Sequence, residues 1–201
     1  LSSAELNIVL TADAVPCAEY LQSVTGTPYV YLPPYGYSQT TDFLKSVAAV
    51  INKPVKEAVL QRLEEKNRRL KMLLNSPLMS RTPGTVFLKG DYDTVKGLGA
   101  FFKELRFNVA HSVCAHKIID AAADGIEYFK EEKDYLQVLP AIRHCLVMAD
   151  EDTVAQADAT NFKVCVSHPC FSHRTIAKHL PFMGEWGADM LFEYIQQYVN
   201  M

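Results

Sequence analysis

Short runs of β-branched and aromatic residues alternate with segments of helical period along almost the whole chain, and this alternation decides the fold class. Asn7–Leu10 reads as a strand, Asp13–Val24 as a helix, Pro28–Leu32 as a strand and Thr41–Ile51 as a helix. In the second helix Phe43, Leu44, Val47 and Val50 recur at helical spacing. From Pro54 the segment "VKEAVLQRLEEKNRRLKMLLNS" runs to Ser76 without Gly or Pro, with Val55, Val59, Leu63, Leu70 and Leu74 near one stripe. Glu64–Arg68 and Glu65–Arg69 stand in the favourable i,i+4 order. At about 1.5 Å per residue this helix spans roughly 33 Å, long enough to cross between two lobes. "NSPLMSRTPG" then reads as a linker.

The rhythm restarts with a strand at Thr85–Leu88, a turn at Gly90–Asp93 and a helix at Thr94–Leu105. Strands follow at Phe107–Ala110, His144–Ala149 and Phe162–Ser167. Residues 117–140 read as irregular with a helix near 120–130, Asp150–Ala157 as a short helix and Trp186–Val199 as a closing helix. Short strands alternating with helices predict an α/β fold: Rossmann-like parallel sheets flanked by helices. The expected organisation is two lobes. Residues 1–53 form the end of a truncated α/β domain, 54–84 a connecting helix and linker, and 85–201 a C-terminal α/β domain. The first lobe is the incomplete one, because two strands are too few for a doubly wound sheet.

Apolar residues make up 49% of the 201, enough for a substantial core, and the formal net charge is −3. Without a basic field, nucleic acid is excluded as a partner. No apolar run reaches membrane-spanning length. Residues 1–10 lack the basic start and cleavage site of a secretory signal. The five cysteines are scattered without a CxxC pair, which fits a reducing compartment. A cytoplasmic protein is expected.

In parallel sheets ligands bind beyond the carboxyl ends of the strands. That rim carries Cys17 after the first strand, "PPYGYSQ" after the second, "KGDYD" after Leu88, His111, Cys114 and His116 after Ala110, and His168, Cys170 and His173 after Ser167. The last two clusters lack the spacing of structural zinc sites. In a sheet of order 2-1-3-4 they stand about 14 Å apart, so they are expected not to share a metal. Cys145 and Cys165 fall inside strands and read as core residues. "KGDYDTVKGLG" is not the GxGxxG fingerprint of dinucleotide sites. Asp91 or Asp93 is expected to cap the helix there, and Gly97 and Gly99 to allow close packing. Tyr29, Tyr31, Tyr35 and Tyr37 are candidates for a pocket wall, with plain packing as the alternative.

The order of these motifs resembles the nitrogenase component 1 type oxidoreductases. The likeness lies in "NIVLTADAVPCAEYLQSVTGTPYVYLPPYGYSQTTDFLKSVAAVINKP", with its G-x-P, aromatic strand, P-x-G and Thr-initiated helix, then in the long helix, "TVFLKGDYDTVKGLGAFFKEL", and "HLPF" before "GADMLFEYI". The resemblance implies a subunit fragment that takes part in ATP-driven electron transfer to a bound metal cluster or tetrapyrrole-type substrate. It implies an iron–sulfur ATPase reductase and a homologous subunit as partners, within a homo- or hetero-oligomer. It also implies an iron–sulfur or other metal cluster in the full assembly, with none expected in this chain alone. By resemblance, Cys17 stands almost where a nitrogenase cysteine ligates the cofactor, and Pro34, Tyr35 and Gly36 border the interdomain cleft. Met183 stands near the family's second ligand, a histidine. The alternatives are a non-catalytic cofactor-assembly scaffold of the same family, or a two-lobe metal-chelate or ligand-binding protein.

Overall fold

The structure is a computed structural model, described for residues 4–76, 84–114, 124–128, 132–167 and 182–201. Two parallel sheets carry the fold. The first pairs β1 (Asn7–Val9) with β2 (Tyr29–Tyr31), Asn7 opposite Tyr29 and Val9 opposite Tyr31. Helix α1 (Val15–Thr25) crosses between them and ends on Gly26, whose φ of 74° supplies the left-handed C-cap.

The second sheet has the order β5-β4-β3-β6-β7, all parallel. Its strands are β3 (Thr85–Gly90), β4 (Asn108–Cys114), β5 (Glu127–Tyr128), β6 (Leu146–Ala149) and β7 (Phe162–Cys165). The expected 2-1-3-4 order is present, extended by β5 outside β4. Period-two alternation sorts the side chains. Val86, Leu88, Leu146 and Met148 enter one apolar cluster, while Phe87, Val147 and Ala149 enter another on the opposite face. Both faces are covered, as a parallel sheet requires.

The larger cluster draws on α2 (Gly36–Val50), α3 (Glu57–Leu74), α4 (Tyr92–Glu104) and α7 (Gly184–Val199). Leu63, Leu70 and Leu74 of α3 are buried within it, as the stripe predicts. The Glu65–Arg69 pair closes at 2.5 Å. The smaller cluster is built around Leu139 and Ile142, which follow α5 (Glu132–Leu136), and Ala157, which follows α6 (Glu151–Gln156).

Four local expectations are corrected. Helix α2 begins at Gly36, five residues before Thr41. The Thr40 hydroxyl donates back to the Gly36 carbonyl at 2.6 Å, so Thr40 serves the first turn from inside it. Strand β4 runs on to Cys114, so His111 and Cys114 lie within the strand and not in a loop after it. Continued pairing with β3, through a register shift at Val86/Phe87, carries β4 past Ala110. Residues 124–128 form a turn and strand β5 where a helix is expected. Helix α4 starts at Tyr92 with Asp91 in the N-cap position, but no side chain caps it.

Candidate functional site

The chain leaves β2 through Leu32-Pro33-Pro34, and two successive prolines allow it little freedom. Pro34, Tyr35, Gly36 and Tyr37 are all buried. Gly36 has φ 74°, and a Cβ there would stand 2.3 Å from Cδ2 of Phe101, so both backbone and space require glycine. The Tyr35 ring lies over Gly97, where a Cβ would come within 2.0 Å of its Cδ2. The Tyr35 hydroxyl pairs with the Thr94 hydroxyl at 3.1 Å. Burial pushes the Tyr35 phenol up to about 12.

The other side of this loop meets the entry to α7. Tyr35 and Met183 form an isolated antiparallel bridge, and the Gly184 amide donates to the Pro34 carbonyl at 2.8 Å. The starts of α2 and α7 therefore sit side by side, each without a side-chain cap. Charged groups hold them together. Tyr37 donates to Asp189 at 2.7 Å. Lys66 of α3 reaches both Asp189 and Glu185, and Arg62 grips Glu185 with two bonds at 2.7 and 2.8 Å. The Arg62 bonds hold the Glu185 carboxyl at about 2, well below its ordinary value.

A cavity of about 230 Å³ opens beside the loop, lined by Tyr31, Leu32, Pro33, Gln39, Asp93 and Lys96 among others. Asp93 turns away from the capping role expected of it. Its two oxygens accept from the Tyr31 hydroxyl at 2.5 Å and from the Ala12 amide at 2.8 Å. One carboxylate thereby ties the end of β2 and the turn after β1 to α4. Burial, then the bond to Asp93, raises the Tyr31 phenol well above its usual range.

The candidate site residues divide. Pro34, Tyr35 and Gly36 come together with Met183. Leu32 and Pro33 face the cavity, while Tyr35 and Tyr37, each 1% exposed, are core residues. Cys17 is exposed in the first turn of α1, a helix that packs on β1 and β2. Cys145 and Cys165 are buried, the latter ending β7 and the former just ahead of β6. His111 pairs through Nδ1 with Glu127 at 3.0 Å, and Cys114 is buried. His116, His168, Cys170 and His173 lie outside the described residues.

Sequence reasoning misses a buried ion pair on the carboxyl edge of the second sheet. Lys89, near the end of β3, lies 2.8 Å from Asp150, which follows β6. Its Nζ also donates to Thr153 at 3.0 Å and sits 3.8 Å above the Tyr135 ring. Burial alone would lower the Lys89 pKa, but the Asp150 carboxylate overrides it and raises it. Burial would likewise raise the Asp150 carboxyl, yet Lys89 and the Thr153 amide hold it low. A lysine directly after the apolar run Val86-Phe87-Leu88 is the only signal the sequence offers.

The cluster implied by resemblance is not fitted by these groups alone. Among the described residues no three or more His, Cys, Asp or Glu are grouped to hold a metal ion. Cys17 is a single cysteine, and iron–sulfur clusters are held by several.

The chain belongs to the nitrogenase component 1 type oxidoreductases: the family model matches residues 1–193. It is similar to a light-independent protochlorophyllide reductase subunit of Bradyrhizobium sp. (strain ORS 278), with 29% identity over 214 aligned positions. That match covers 96% of this chain and 39% of the relative. Among solved structures, "Nitrogenase Cp1 at pH 6.5" superposes with a TM-score of 0.71 at 19% identity, covering 99% of this chain and 46% of the other. The chain thus spans less than half the length of each.

Proposed function

We propose that the chain forms part of a nitrogenase-like oxidoreductase subunit. In this reading the subunit takes electrons from an ATP-driven iron–sulfur reductase and passes them to a bound metal cluster or tetrapyrrole-type substrate. The observation that carries the proposal is the junction of Pro34-Tyr35-Gly36 with Met183-Gly184, in a chain whose family match runs almost end to end. Two segments far apart in sequence meet there: the loop that the resemblance sets near the cleft, and the segment where it sets the family's second ligand, with Met183 here in place of a histidine.

In this reading the chain supplies one wall of a shared site. The Pro33–Tyr37 loop is fixed by Gly36, Gly97 and the bond to Gly184, and with residues 34–37 buried it is Leu32 and Pro33 that face a ligand in this reading. Cys17 supplies a single soft ligand. The remaining ligands and the partner surfaces come from a homologous subunit or from further chain. The likeness to a protochlorophyllide reductase subunit makes a tetrapyrrole the first substrate class to try.

An assembly of this chain with a homologous subunit and an iron–sulfur ATPase reductase tests the proposal, with protochlorophyllide as the probe. Anaerobic reduction should require MgATP and should fall at least tenfold in Cys17→Ser. Turnover without nucleotide, or an unchanged rate in Cys17→Ser, would contradict it.

A further inference from the structure

Among the described residues, strands β1 and β2 form a sheet of their own, apart from the five-stranded one. Helix α1 buries a single residue, Ala18, and packs on β1, β2 and the turn before it. Ile8, Leu10, Tyr20 and Val24 remain between 41% and 67% exposed, while Val9 is buried and Ala12 packs against the larger apolar cluster. The connection onward from β2 runs through Pro33-Pro34 to Tyr35, which is locked against α4.

Asp93 stands between the two bodies. It lies in the first turn of α4, is 7% exposed, and has one oxygen on Tyr31 of β2 and the other on the amide of Ala12, in the turn leading to α1. The first bond falls on the last residue of β2 and the second on the turn that follows β1. Two such points fix an axis through the β1–α1–β2 unit and its distance from α4. A cavity of about 230 Å³ lies beside them, lined by Tyr31, Leu32 and Pro33 among others.

We infer that Asp93 is a positioning residue: by clamping Tyr31 and the Ala12 amide, it sets where the β1–α1–β2 unit, and with it Cys17, stands relative to the second sheet. The consequence for ligand binding rests on the role proposed for Cys17. The geometry does not, and a distance measurement separates the two.

The chain carries its own probe pair. Trp186, the sole tryptophan, is 67% exposed near the start of α7 and moves with the second sheet. Cys17 is exposed on α1 and accepts a thiol-reactive acceptor dye in a Cys170→Ser background. Time-resolved energy transfer from Trp186 should give one narrow distance distribution in this parent. Asp93→Ala should broaden it and shift its mean, with the circular dichroism of the fold retained. Asp93→Asn, which keeps an acceptor for the Ala12 amide, should fall between the two. Tyr31→Phe, which removes one bond and leaves the carboxylate in place, should shift the distribution in the same direction by less. Distributions identical to the parent in Asp93→Ala would overturn the inference. Should Asp93→Ala fail to fold, an unchanged distribution in Tyr31→Phe would overturn it equally. Loss of activity in Cys17→Ser bears on the proposed function alone and leaves this result untouched.

Discussion

Two glycines in α4 separate a close approach from ordinary helix packing. A Cβ on Gly97 would meet the Tyr35 ring at 2.0 Å, and that ring is pinned by its hydroxyl to Thr94. A Cβ on Gly99 would find only Leu88 at 3.8 Å and Ser112 at 4.0 Å. Gly97→Ala should therefore destabilise by about 1–3 kcal/mol, the usual cost of overpacking a filled core. Gly99→Ala should be neutral or should stabilise by up to about 1 kcal/mol, as Ala is favoured over Gly inside a helix. Urea denaturation of the two variants checks this, and equal midpoints would refute the assignment. The sequence motif "KGLG" shows both glycines in a helix and predicts close packing there. It does not show that the partner at Gly97 is a loop tyrosine 62 positions earlier, because such a contact depends on the tertiary fold. The role of Asp93 is hidden for a related reason. An acidic residue at a helix start looks like a cap, and only the folded chain brings Tyr31 and the Ala12 amide to it.

At the scale of elements, helices α2, α3 and α7 are stitched by Arg62, Lys66, Glu185, Asp189 and Tyr37. Glu185 is held at about 2, below the roughly 4.3 of an unfolded glutamate. A depressed folded-state value contributes stability that is complete above the unfolded value and is lost as pH falls through the folded one. The stability difference between the parent and Glu185→Gln should thus be largest at pH 6–7 and shrink steadily from about pH 5 toward pH 2. Chemical denaturation across that range checks it, and a difference that grows on acidification would exclude the role. Most elements are legible in the sequence: strands of β-branched or aromatic residues and the long, uninterrupted α3 announce themselves by period. Strand β5 is not, since two residues carry no periodic signal. Nor is the true start of α2, because Gly36 at φ 74° looks like a turn residue and is in fact the first residue of the helix.

At the scale of the whole molecule, the parallel α/β class and the family both follow from the succession of motifs, and both hold. The site follows less fully. Pro34, Tyr35 and Gly36 meet Met183, but Cys17 rides on α1 beside a separate small sheet. A sequence gives the order of segments along the chain, whereas a site shared with other chain segments needs their positions in space. The proposed site is therefore a joint one: this chain contributes a loop wall and one thiolate, and other segments contribute the rest. Anaerobic reconstitution of the 201-residue chain with iron and sulfide, followed by iron assay and visible absorption, tests this most directly. A joint site predicts far less than one iron per chain and no charge-transfer bands after desalting. A stable brown product holding stoichiometric iron on these residues alone would contradict it.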